Sequence, residues 1–263
     1  MSGTGLLASI EGVGFWAPGL PSFEAMRAFA RGGAIDASAP RRPMPQLLPP
    51  NERRRAPDSV AVALVVAQQA CIQAGRDPAT LPSVFASTHG DLGITDYLCA
   101  TLASDARALS PTRFHNSVHN AAAGYWTIGT GCHAPSTAIS SFDASFAQGL
   151  LEALVQLRTG AQAVLLVAYD APSAGPLAAV SRSEGLLGAA LLLSTAPSHR
   201  HAQLRATLVD AAAPAPRGIL AEQLGANAMA PMLPLFHALA TGGDLVSLHA
   251  GPTQALRVEF AHA

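Results

Sequence analysis

The chain has 263 residues, 49% of them hydrophobic, with 16 basic and 17 acidic side chains and a formal net charge of −1, so it can bury a large core and carries no broad basic surface for nucleic acid. Every basic residue is an arginine, which excludes a Schiff-base lysine, a phosphate-loop lysine and a lysine general base. Cys71, Cys99 and Cys132 are far apart in sequence and form no Cys-x-x-Cys pair, so neither zinc nor dithiol chemistry is indicated and a reducing cytoplasm fits.

Residues 6–15 are apolar and punctuated by glycine, as a first strand would be, and Pro18 and Pro21 close it. The opening residues lack the pattern of a signal peptide and no apolar run approaches the length of a membrane span, so stable membrane insertion is not expected. Residues 36–58 crowd Pro40, Pro43, Pro45, Pro49 and Pro50 together with Arg41, Arg42 and Arg53 to Arg55, which predicts an ordered loop without regular structure. Residues 59–74 are rich in Ala, Val and Gln with Gly75 just beyond, a helix and its stop signal. A short strand over 84–87 leads into Thr88-His89-Gly90-Asp91, and 93–107 reads as helix. Pro111 then breaks the chain, a polar string covers 114–120, and 121–129 forms a helix ending at the Gly131 turn.

The clearest unit comes next. Residues 136–140 are β-prone, 144–158 place apolar residues at helical spacing with Gly160 as the C-cap, and 163–168 read as a buried strand. Strand, helix and strand make a βαβ unit with parallel strands and a right-handed crossover, so the fold class is α/β. Residues 186–194 and 204–210 are two further strands placed to pair antiparallel, separated by the polar Ser198-His199-Arg200-His201. A helix pattern over 219–241, interrupted near Pro231 and Pro234, and short strands over 245–249 and 255–260 complete the chain. The expected division is a domain over 1–210 with 211–263, a helix plus two strands, packed on it.

A turn from strand into helix presents side chains to unpaired N–H groups and the positive end of the helix dipole, which stabilises a thiolate or other anion there. Here that elbow is Ser141-Phe142-Asp143. Together with Leu48-Pro49-Pro50 ahead of the arginine cluster, the string from Ser117-Val118-His119-Asn120 through Gly124-Tyr125-Trp126, and Arg182-Ser183-Glu184-Gly185, the order of elements resembles the N-terminal half of the beta-ketoacyl synthases. Within that family it is most similar to the small chain-length-factor-like subunits of aryl polyene pathways. The resemblance implies a thiolase-like fold with only a short remnant of the second half. Counting back from Gly160 sets Asp143 at the position of the family's nucleophilic cysteine, and no string resembles the His-Gly-Thr motif of active ketosynthases.

What the resemblance implies is therefore a non-catalytic subunit with no catalytic residue, cofactor or metal, working in the cytoplasm. It would pair as a heterodimer with an active ketosynthase acting on chains held by acyl carrier protein, in polyketide or fatty-acid-type synthesis. Ketosynthases pair through the edge of the central sheet and the helices beside it, which makes His119, Asn120, Tyr125 and Trp126 candidate interface residues. Core packing is the alternative for the two aromatics.

Other readings rest on the residues alone. Asp143 at a helix start is accounted for by an ordinary N-cap. Ser141 and Asp143 with a histidine would suit a stand-alone acyl-transferring or acyl-hydrolysing enzyme, although the Gly-x-Ser-x-Gly elbow is absent. A homodimeric acyl-binding protein is a further alternative. His115 and His119 stand four apart and would need His89 or Asp91 to complete a metal site, while Gly12-Val13-Gly14 lacks the third glycine of a nucleotide fingerprint.

Overall fold

The computed structural model describes residues 5–196 and 202–261. In chain order the elements are β1 (Leu6–Trp16), α1 (Phe23–Ala30), α2 (Pro50–Arg55), α3 (Asp58–Ala74), β2 (Ser83–Ala86), α4 (Leu92–Ser104), α5 (Pro111–Asn116) and α6 (Ala121–Thr130). They continue with β3 (Ser136–Ile139), α7 (Ser145–Arg158), β4 (Ala163–Asp170), β5 (Leu187–Ser194), β6 (Gln203–Val209), α8 (Ile219–Leu224), α9 (Leu233–Thr241), β7 (Leu245–Gly251) and β8 (Gln254–Ala261). The strands form one sheet in the order β3-β2-β4-β5-β1-β6-β8-β7.

The sheet has two halves with different burial, and the sequence pattern follows each. β4 and β5 are buried at every residue. Val164, Leu166 and Ala168 face one core with Phe146, Leu150 and Leu154 of α7, while Leu165, Val167 and Tyr169 face a second core with Val62, Leu64 and Val66 of α3 and Trp126 of α6. A strand covered on both faces has no solvent side, hence the unbroken apolar runs. β6 and β8 alternate instead, with Leu204 and Ala206, then Leu256, Val258 and Phe260, turned to the first core. Their other face carries Gln203, Arg205, Thr207, Arg257 and Glu259, none of them buried.

The βαβ unit forms with an insertion. β3 and β4 are both parallel to β2, which lies between them. The expected antiparallel pairing of the strands at 186–194 and 204–210 does not occur. β1 lies between them, antiparallel to both, with Ser9 opposite Ser194 on one side and Gln203 on the other. Side-chain pattern cannot distinguish these arrangements, because an apolar strand placed between two others satisfies their backbone groups equally well. The polar residues 198–201 lie outside the described residues.

Gly12 and Gly14 mark where β1 runs against α3. A Cβ on Gly12 would lie 2.1 Å from the carbonyl oxygen of Ala70, and one on Gly14 would lie 2.0 Å from that of Val66. These glycines serve helix–strand approach.

Residues 36–58 are not all loop. Pro50 occupies the first turn of α2, where a missing N–H costs nothing. The arginines there pin the proline-rich segment: Arg53 donates to Leu48 O (2.9 Å), and Arg42 donates to Ala56 O (2.7 Å) and pairs with Asp58. Pro111 likewise starts a helix, α5, capped by Ser110 Oγ accepting from Arg113 N. No helix among the described residues is long and apolar enough to cross a membrane.

Candidate functional site

The elbow differs from a simply capped helix. Ser141 precedes a 3-10 turn over Phe142–Ala144, and Phe142 is the one non-glycine residue with positive φ (53°) among the described residues, a conformation that costs free energy for a bulky side chain. Neither the 3-10 turn nor α7 has a side-chain cap; instead Ser145, the first residue of α7, ties the turn, its buried hydroxyl accepting from Ser141 N (2.9 Å) and donating to Phe142 O (2.6 Å). The carboxylate of Asp143 makes no hydrogen bond to any described residue and is exposed in the first turn of the 3-10 segment. The N-cap reading of Asp143 is thereby corrected. With the 3-10 turn inserted, Asp143 sits one residue inside a turn that is already closed by Ser145.

Asp143 instead borders a cleft of about 200 Å³ between the elbow and β7, opposite Ser247 and His249 and walled by Pro214, Pro216, Pro231 and Pro234. Among the described residues Ser141 is hydrogen-bonded through its N–H to Ser145 and to no histidine, so no hydrogen bond links the expected grouping of Ser141, Asp143 and a histidine. None of the cysteines lies at the elbow: Cys71 is on α3, Cys99 on α4, and Cys132 follows α6. Burial pushes the Cys71 thiol up to about 12, aided by the negative charge of Asp77, so it is protonated and unreactive.

A buried polar hub lies beside the elbow, at the carboxyl ends of β2 and β4. Asp170, 1% exposed, accepts from Ser87 Oγ (2.7 Å) and from Thr88 N (3.0 Å). His119 Nε2 donates to Ser87 O (2.8 Å) and Ser140 Oγ donates to Thr88 O (3.0 Å). His89 Nε2 lies 2.8 Å from Ser181 Oγ, and its ring meets Phe142 edge-on at 6.2 Å. Burial raises the Asp170 carboxyl above the ordinary range, partly offset by the Thr88 and Ser87 hydrogen bonds.

The residues considered for a metal are separately engaged. His115 is on α5 with its ring edge to Tyr125, His119 holds Ser87, His89 meets Ser181, and Asp91 caps α4 by accepting from Ile94 N (3.0 Å) while taking the hydroxyl of Ser59 (2.8 Å). Among the described residues no three such side chains converge, and α5 ends at Asn116, so His115 and His119 do not share a helix face.

The four candidate interface residues divide. Asn120 is exposed and Tyr125 half-buried, and both line a groove of about 380 Å³ between α2, α5 and α6 with Leu48, Arg55, His115, Val118 and Ile128. His119 turns inward to Ser87. Trp126 is wholly buried against α3 in the second core, which corrects its assignment as a surface anchor. It lies on the inner face of α6, one position from Tyr125, and successive helical residues are about 100° apart. The exposed apolar residues of this region are Phe114, Val118 and Ile128, the last 80% exposed. Sequence reasoning missed them because an apolar residue on a short amphipathic segment reads as core. Beside them β3 is an edge strand, with β2 as its ladder partner among the described residues.

Comparison with known proteins places this architecture. No curated protein matches the chain. Among solved structures it is similar to a chain of a ketosynthase (ApeO) in complex with its chain length factor (ApeC) from Xenorhabdus doucetiae, with 24% identity, a TM-score of 0.75 and coverage of 97% of this chain and 99% of that one. It is also similar to a chain of the ishigamide ketosynthase/chain length factor, with 17% identity, a TM-score of 0.69 and coverage of 97% and 99%. A third likeness is to a chain of a type II polyketide synthase complex of acyl-carrier protein with its ketosynthase bound to the hexaketide, with 13% identity, a TM-score of 0.74 and coverage of 98% and 100%. These likenesses show the thiolase-like ketosynthase fold. The family model for the beta-ketoacyl synthase N-terminal domain matches residues 30–251, and the chain belongs to that family.

Proposed function

We propose that the chain is a chain-length-factor-like subunit that pairs with an active beta-ketoacyl synthase and does not itself carry out condensation. The observation that carries this reading is the edge position of β3 among the described residues together with the exposed apolar side chains Phe114 on α5, Val118 and Ile128, the last on α6, which packs beside β3. An edge strand with apolar neighbours is a ready template for a second sheet. The similarity to ketosynthase and chain length factor complexes supports the same partner.

Condensation by this chain is disfavoured by its elbow. Read as the counterpart of the family's cysteine, Asp143 offers a carboxylate whose acyl adduct would be an anhydride, which water destroys. An acyl carrier protein as carrier, an aryl polyene type pathway and a cytoplasmic setting complete the proposal; the acyl-carrier complex among its structural relatives supports the carrier. We read residues 1–210 as the ketosynthase-like domain and 211–263 as a short remnant packed on it, supported by the way β8 continues the sheet from β6.

Coexpression with an active ketosynthase encoded beside this chain, followed by size-exclusion chromatography with light scattering, tests the proposal. A stable one-to-one complex is expected. Purification of this chain as a homodimer or monomer that ignores the ketosynthase would overturn it.

A further inference from the structure

Open parallel sheets bind ligands at the carboxyl ends of their strands, and in this chain that crest contains a hydroxyl–imidazole pair. His89 follows β2, Ser181 follows the 3-10 turn Pro176–Ala179 beyond β4, and Oγ of Ser181 lies 2.8 Å from Nε2 of His89. Both side chains are half-buried. That separation is the hydrogen-bond reach in which an imidazole removes a proton from a nucleophilic hydroxyl.

Three features surround the pair. The backbone that carries His89 is fixed from behind, since buried Asp170 holds Ser87 Oγ and Thr88 N. Ser181 is held by its own N–H donating to Leu177 O (2.9 Å). The neighbouring side chains are apolar and exposed: Phe142 meets His89 edge-on from the strained elbow, and Leu177, whose carbonyl holds Ser181 N, and Val180, next to Ser181 in sequence, present exposed hydrophobic surface. A nucleophile and base beside exposed apolar side chains suit an activated carbonyl attached to a hydrocarbon chain.

We infer that Ser181 and His89 form a nucleophile–base pair that hydrolyses esters or thioesters of apolar acyl chains. Ser181 Oγ gives its proton to Nε2 of His89, which requires the tautomer protonated at Nδ1, and the oxygen bonds to the acyl carbon. The tetrahedral adduct collapses with loss of the carbon–sulfur or carbon–oxygen bond, and the leaving thiol or alcohol takes the proton from His89. Water then adds to the acyl-serine, His89 accepting its proton. The Ser181–acyl bond breaks, the proton returns to Ser181, and the carboxylic acid leaves. Asp170 acts as a positioning residue, because it touches the strand end and not the reacting atoms.

This activity is separate from pairing with a ketosynthase, and its test does not depend on that pairing. The purified full chain is incubated with a fluorophosphonate probe and the modified peptide is identified by mass spectrometry; hydrolysis of p-nitrophenyl hexanoate and hexanoyl-coenzyme A is followed in parallel. The expected result is labelling at Ser181, with turnover of at least one acyl substrate reduced on the order of 100-fold or more in Ser181→Ala and in His89→Gln. Labelling at another serine, no labelling at all, or unchanged hydrolysis by Ser181→Ala overturns the inference. Should either variant fail to fold, the site of labelling in the wild-type chain decides alone.

Discussion

Asn227 crosses to the end of β4, where its Nδ2 donates to the carbonyl oxygen of Asp170 (3.3 Å), and the same amide reaches the carbonyls of Glu184 (3.2 Å) and Gly185 (3.1 Å). Its Oδ1 accepts from Met229 N (2.9 Å). One 5% exposed side chain from the last quarter of the chain therefore satisfies backbone groups at the carboxyl end of β4 and just ahead of the amino end of β5.

Removing that amide leaves buried carbonyls without a donor. Asn227→Ala is expected to lower unfolding free energy by about 1–3 kcal/mol, read as a shift in the urea midpoint. An unchanged midpoint would mean that water replaces the amide and that Asn227 does not link the two segments.

Asp170 gives a pH dependence whose sign follows from burial. Its carboxyl is raised in the folded state, so the folded chain binds this proton more tightly than the unfolded chain. The contribution of Asp170 to stability is therefore greatest below its ordinary unfolded value and declines as pH rises through the raised folded value. Asp170→Asn keeps an acceptor for Thr88 N and Ser87 Oγ without the charge. Its stability relative to wild type should be most favourable at neutral pH and decline toward pH ~4; parallel denaturation curves across that range measure it, and a constant difference would contradict the assignment.

Gly14 and Val66 mark the tightest contact between β1 and α3. Because the atom a new methyl group would meet is a helix carbonyl, at 2.0 Å, neither partner can rotate away. Gly14→Ala should cost about 3 kcal/mol, whereas alanine at Gly124, which has nothing within 4 Å of its Cβ position, should be neutral or slightly stabilising through higher helix propensity. Thermal melts of the two variants give the comparison.

Two residues of α6, two positions apart, separate surface from core. Ile128→Glu adds charge where the side chain is already 80% exposed, so it should leave the melting temperature unchanged and weaken copurification with a ketosynthase at least tenfold, about 1.4 kcal/mol. Trp126→Ala should cost about 3–5 kcal/mol of folding free energy. If Ile128→Glu pairs as well as wild type, the α6 surface is not the interface.

Much of the fold could be read from residue order, and the reason is local. β4 and β5 appear as unbroken apolar runs because both of their faces are covered, and α3 appears as a helix because its apolar residues end at Gly75, whose left-handed conformation (φ 64°) terminates it. The short helices α2 and α5 were hidden because proline marks a loop and a helix start equally well. Strand order was also hidden: β1 separates β5 from β6, and the pairing energy of a strand depends on neighbours distant in sequence.

For the candidate site the division is sharper. The sequence by itself determined the family resemblance, the α/β class, the absence of lysine chemistry and the aspartate at the elbow, all properties of residue type and spacing. Only the tertiary structure decided that Ser145 and not Asp143 closes the elbow, that Trp126 turns inward while Ile128 turns out, and that Ser181 meets His89 from 92 residues away. Those outcomes depend on the rotation of a helix about its axis and on which strand ends the sheet brings together, and both are set by burial of the whole core.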